Sequence, residues 1–236
     1  MRKLLVLLCV VLVSTSAMAQ QTAAQVIARY NEVTGLNKAD FKAGNMMMDV
    51  AVATPQGNVA MQIIKAEGAK YRITANMAGQ EMLAVANGEK GWMKVPGQAV
   101  QTLPKEAIDQ LASQGDMTGS LKLDETLFDF VLTGEENGNY VVLGTPKKGA
   151  NTMGITELVA YFSTKTDMMT RSISKLDIKG NKVNVDVKFS AVKDFNGLNL
   201  PSIMEIATTG APMMTLTIKE LNTIYPTAAW MFTEPK

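Results

Sequence analysis

Apolar and polar positions change their period along this chain, and each change marks an element. After Thr22, the apolar residues Val26, Ile27, Tyr30 and Val33 fall on one stripe of a helix. Thr22-Ala23-Ala24-Gln25 has capping-box spacing, and Gly35 is a natural stop, so the mature chain is predicted to open with a helix. A helix with one apolar stripe must bury it against something else.

From Asn45 the period falls to two. Met46, Met48, Val50 and Val52 alternate with Met47, Asp49, Ala51 and Ala53, and Val59, Met61 and Ile63 follow a Pro55-Gln56-Gly57-Asn58 turn. Further strands are predicted over 70–75, 81–86 and 90–95, joined by Gly-bearing turns as an antiparallel meander. The alternation breaks between Val100 and Gly134. Pro104 suits a first helical position, Ile108, Leu111 and Ala112 follow it, and 127–132 reads as a second short helical or turn-like segment. Strands resume over 140–144, 155–162, 169–178, 183–192, 201–208 and 213–221. The total is about eleven, with no linker composition to mark a domain boundary.

Nearly every strand presents one apolar and one polar face. That describes a single antiparallel sheet with one dry side, which at this width tends to curl. Its fillers are the N-terminal helix and the Pro104 insert. Whatever they leave open must be closed by long side chains or by an apolar ligand.

Composition removes most catalytic options. Residues 1–19 form an export signal: Arg2 and Lys3, ten apolar residues from Leu4 to Val13, then Ala17-Met18-Ala19 as a cleavage site before Gln20. Cys9, the sole cysteine, lies inside the apolar run rather than at its end behind a small residue, so lipid attachment there is not expected. The 236-residue chain has 23 basic and 22 acidic side chains; without Arg2 and Lys3 the net charge is −1. Such a chain has no electrostatic footprint for nucleic acid. The absence of histidine, and of cysteine after processing, excludes thiol nucleophiles, histidine dyads and zinc sites built on those residues. No metal site, cofactor or enzymatic activity is expected.

Isolated motifs add little. Ser172-Ile173-Ser174-Lys175 matches an S-x-x-K string, but in a period-two segment its Ser and Lys point to opposite faces. Asp124-Glu125 and Glu135-Glu136 read as solvated loop acids. Fifteen methionines remain after processing, clustered at 46–48, 168–169 and 213–214. They suit gap-filling in a core, a deformable lining for apolar partners, or, less readily without histidine, Cu(I). Trp92 packs either at a cavity mouth or against a helix.

Four segments carry a family resemblance. They are Ala24 to Gly35; Asn87-Gly88-Glu89-Lys90-Gly91-Trp92 with Pro96-Gly97; Leu132-Thr133-Gly134 to Leu143; and Asp194-Phe195-Asn196-Gly197-Leu198-Asn199-Leu200-Pro201. Together they resemble the LolA/LolB superfamily of periplasmic lipoprotein carriers and outer-membrane lipoprotein-sorting proteins, across the whole mature chain. The resemblance implies a mainly β fold: a half-open antiparallel barrel of about eleven strands wrapped on a helical lid, as one domain over 20–236. It implies a hydrophobic cavity for acyl chains, no enzymatic activity, and two kinds of partner: a membrane donor complex and an outer-membrane acceptor. It also implies an arginine that latches the lid from inside. Of Arg29, Arg72 and Arg171, parity places Arg72 on the wet face with Lys70 and Thr74, and Arg29 lies off the helix stripe.

The expected function is therefore a periplasmic carrier that shelters acyl chains of lipoprotein or lipid. The alternative is an envelope sensor or interaction module using the same half-barrel without cargo. The expected concave lining is Met48, Val50, Met61, Ile63, Leu83, Trp92, Val185, Val187, Phe189, Leu216 and Ile218. On that reading Leu83→Glu rejects a fatty acid.

Overall fold

The computed structural model describes residues 21–37, 45–115, 121–152, 154–178 and 180–236. The expected signal segment and its expected cleavage site, and the Gly-rich stretch after Gly115, lie outside them. Helix α1 (Ala23–Thr34) begins with both halves of the capping box: Gln25 N–H donates to Thr22 Oγ1, and Thr22 N–H donates to Gln25 Oε1. Gly35 closes the helix at φ 75°, a left-handed conformation that costs glycine nothing.

Among the described residues, thirteen antiparallel strands form one sheet. The first six are β1 (Met46–Thr54), β2 (Gly57–Ala66), β3 (Lys70–Met77), β4 (Gln80–Asn87), β5 (Lys90–Lys94) and β6 (Gln101–Thr102). Helix α2 (Lys105–Gly115) follows. Then come β7 (Phe128–Glu136), β8 (Asn139–Pro146), β9 (Ile155–Ser163), β10 (Met169–Ile178), β11 (Asn181–Asp194), β12 (Asn199–Thr208) and β13 (Met214–Asn222).

Strands β1 to β6 make one meander and β7 to β13 another, and the two join where β1 pairs with β13. The outer edges are therefore β6 and β7, which are neighbours in the chain but lie at opposite ends of the sheet. The insert that carries α2 links these two free edges. The sheet stays unclosed, and the result is a half-open barrel. Register shifts at Asp49/Val50, Leu132/Gly134, Met169/Arg171 and Lys175/Leu176 add local bends that assist the curl.

Two expectations change here. Segment 127–132 is not helical: Phe128, Phe130 and Leu132 occupy one face of β7, and the irregularity at Leu132/Gly134 interrupts the alternation that would have revealed it. The short edge strand β6 is likewise additional, so the sheet has thirteen strands rather than about eleven.

Helix α2 settles through Ile108, which is buried against Tyr71 and Ala86, with Leu103, Leu111 and Ala112 around it. Gly91 makes this approach possible, because a Cβ there would lie 2.7 Å from Ile108 Cγ1. Gly91→Ala is expected to destabilise by about 1–3 kcal/mol in equilibrium urea unfolding. The cost should shrink markedly in an Ile108→Ala background, because the two substitutions share one contact.

Candidate functional site

Residues paired directly across antiparallel strands share a face, so the ladder registers identify the concave side. Met48 pairs with Ile63, Ile63 with Ile73, Ile73 with Ala84, and Ala84 with Met93. In the other direction, Val52 pairs with Leu216, Leu216 with Met204, and Met204 with Phe189. These rows enclose the main apolar core together with Val26, Ile27 and Tyr30 of α1 and Leu121 and Leu123 of the insert.

The concave face divides into two parts. Beneath α1 and the insert it is sealed: Met48, Val50, Ile63, Phe189, Leu216 and Ile218 are all buried. Toward the other end of the strands it is only half-covered. Val52, Met61, Met82, Leu158, Val185, Val187, Ile206 and Met214 are partly exposed there. Met77, at the end of β3, is 45% exposed. This half-covered strip is apolar, lined by several methionines, and built from strands of both meanders. It is the candidate site.

Of the eleven residues expected to line the cavity, nine therefore lie on the concave face, and Met61, Val185 and Val187 alone among them reach the half-covered strip. Leu83 and Trp92 do not lie on that face. Leu83 pairs with Thr74 and Lys94, and Trp92 pairs with Val85. Both sit on the convex side, packed with Val85, Ile64, Met47 and Phe232. The segment after β13 crosses that side, and its 3-10 turn (Ala229–Phe232) covers the patch. Trp92 thus meets neither a cavity mouth nor α2. Met82, Ala84 and Met93, beside Leu83 and Trp92 on β4 and β5, are concave instead, and with Val52, Leu158, Ile206 and Met214 they are among the concave residues that sequence reasoning missed. Apolar residues occupy both faces of β4 and β5, so alternation alone does not choose between them.

The arginines stay outside the core. Arg72 Nη1 donates to the Met231 carbonyl at 3.3 Å, on the convex side. Arg171 makes two bonds to Asp186, at 2.9 and 2.6 Å, and its guanidinium holds that carboxyl below the ordinary carboxylate range. Arg29 Nε lies 2.9 Å from Asp167, with its guanidinium 5.6 Å from the Tyr140 ring centroid. What ties the helix to the insert is a tyrosine. Tyr30 Oη donates to the Leu121 carbonyl at 2.6 Å, and the ring meets Phe162 edge-on at 5.2 Å. Burial pushes this phenol well above its usual pKa, so it remains a neutral donor.

Other chemistry is separated in space. Ser172 pairs with the concave residues Ala160 and Val187, whereas Lys175 lies on the opposite face, bonded to Glu157 at 2.7 Å. A groove of about 530 Å³ lies on the convex side between Arg72, Glu81, Leu83, Lys94 and the terminal segment, where Lys94 Nζ donates to the Lys236 carbonyl oxygen. Its lining mixes both charges, unlike the concave strip.

The backbone can be compared with solved structures. A LolA superfamily protein from Nitrosomonas europaea superposes with a TM-score of 0.54 at 15% identity, covering 90% of this chain and 98% of that one. The fold is LolA-like. A DUF1329 family protein from Desulfovibrio piger matches this LolA-like fold with a TM-score of 0.53 at 15% identity, over 88% of this chain and 97% of that one. A looser match, with a TM-score of 0.46 at 14% identity, is a Vibrio parahaemolyticus domain described as an outer membrane lipoprotein-sorting protein, covering 83% and 92% of the two chains. No family model matches the sequence, and no curated protein matches it.

Tyr30→Phe is expected to leave the buried Leu121 carbonyl without its donor. The cost should be about 1–3 kcal/mol in urea unfolding, with α1 and the insert exchanging amide hydrogens faster than the sheet.

Proposed function

We propose that this protein is a non-catalytic binding protein for acyl chains, working in the periplasm after export and passing cargo between a membrane donor and an outer-membrane acceptor. One observation carries the reading: the half-covered apolar strip on the concave face of the LolA-like half-barrel, from Met61 and Met82 across to Val187 and Met214. An acyl chain held in water costs about 0.8 kcal/mol for each exposed methylene, so transfer across an aqueous compartment needs a dry sleeve. Release needs a sleeve that holds only moderately. Thioether side chains rotate and repack easily, and an interface lined by them accepts chains of different shape. The export signal supports the compartment, and the likeness of fold to a LolA superfamily protein supports the cargo class.

Two measurements test this. Native mass spectrometry of protein isolated from its own envelope, followed by lipid extraction, should show an acylated species bound near stoichiometrically. In vitro, the protein should take up a fluorescent fatty acid. Met61→Glu and Val187→Glu should weaken uptake more than about tenfold by placing a carboxylate in an apolar strip. Leu83→Glu, on the convex side, should leave uptake unchanged, the reverse of the outcome expected from its sequence position. An empty protein that takes up no probe would sink the carrier reading in favour of an interaction module.

A further inference from the structure

The acyl-binding reading leaves the groove on the convex side unused. At about 530 Å³ it is large enough for a small ligand, and Leu83 lines it together with Trp230, whose side chain is 65% exposed. Five charged side chains also line it: Arg72, Lys94, Lys236, Glu81 and Glu234. The ion pairs among the described residues join Arg29 to Asp167, Lys105 to Asp109, Lys147 to Asp129, Arg171 to Asp186 and Lys175 to Glu157. None of the five groove charges belongs to one, although both signs face the same space.

The ladders order these charges along the strands. Arg72 pairs with Val85, Lys94 with Leu83, and Glu81 with Asn76, so Arg72, Lys94 and Glu81 stand in three successive rows of the convex face. Positive charge gathers at the Arg72 end, and Glu81 marks the other. Two of the cations are also anchored. Arg72 Nη1 donates to the Met231 carbonyl and Lys94 Nζ to the Lys236 carbonyl oxygen, which ties both to the terminal segment. A guanidinium carries five N–H donors in a planar fork, so the bond to Met231 orients Arg72 and still leaves donors for a ligand.

We propose that this groove binds a short peptide with free ends, its terminal carboxylate on Arg72, its terminal ammonium on Glu81 and an apolar side chain against Leu83 and Trp230. An arginine fork matches a carboxylate in two parallel hydrogen bonds. Length selects the ligand. Arg72 and Glu81 lie four residues apart along the strands and one strand apart across them, which separates their Cα atoms by about 14 Å. Three extended residues span about 10 Å, and the two charged side chains reach across the rest. A free amino acid or a phosphoethanolamine headgroup holds its charges too close together to engage both ends. The groove lies on the opposite face of the sheet from the candidate site, so this site goes beyond the acyl-binding reading and does not rest on it.

Isothermal titration calorimetry tests this with three probes: the tripeptide Ala-Leu-Ala with free ends, its C-terminal amide and its N-acetyl form. The wild type should bind the free tripeptide, and each block should weaken binding about tenfold, the worth of one charge-assisted hydrogen bond. Arg72→Gln keeps a donor for the Met231 carbonyl; it should erase the penalty of amidation and keep that of acetylation. Glu81→Gln should do the reverse. Glu81 is an exposed side chain, so its variant decides the matter by itself where thermal unfolding shows that loss of Arg72 loosens the terminal segment. Three results overturn the proposal: no binding of the free tripeptide at millimolar concentration, blocked peptides that bind as tightly as the free one, or a penalty that survives substitution of its own partner.

Discussion

The ladder between β1 and β13 is the contact on which the rest of the molecule depends. It pairs Met48 with Leu221, Val50 with Ile218 and Val52 with Leu216, across almost the whole described chain. Without it there are two separate meanders, each too narrow to curl around a core. With it the two become one sheet, and the edges fall to β6 and β7, whose connecting segment then lies at the seam. Loop-closure entropy rises only slowly with length, so a pairing this distant is affordable once a continuous apolar face is its reward.

The same ladder creates a shortage of cover. A wide apolar concave face needs covering, and α1 and α2 are twelve and eleven residues long. They seal the end near Tyr30, Phe162 and Leu121, and α2 adds a smaller patch over Tyr71 and Ala86. The end with Val52, Met61, Val187 and Met214 remains half-covered. The candidate site is the area of sheet that the helices cannot reach, and the flexible methionines lie there. On the convex side a comparable apolar patch around Val85 and Trp92 is instead covered by the terminal segment, through Phe232 and Met231.

Much of this was legible from residue order. The capped helix, most strands and a curling sheet with one dry face follow from period and turn residues, because those signals are local, and the half-barrel was what the family resemblance implied. What alternation could not choose was the face of β4 and β5, where Met82, Ala84 and Met93 compete with Leu83, Val85 and Trp92. Register through the tight turns resolves it: Met77 pairs with Gln80, and Asn87 with Lys90, which sets Leu83 opposite Thr74 on the wet side. Strand β7 was hidden for another reason, since the irregularity after Leu132 breaks the alternation.

By itself, then, the sequence determined the helix caps, the antiparallel pattern, the absence of histidine, the confinement of its one cysteine to the N-terminal apolar run, and an apolar face long enough to need a filler. These are properties of neighbouring residues, and chemistry at short range suffices to set them. Only the tertiary structure decided which apolar residues become sealed core and which stay half-covered. That depends on where α1, α2 and the terminal segment come to rest, and those positions are set by contacts such as Tyr30 with Leu121 and Ile108 with Gly91 between residues far apart in the chain.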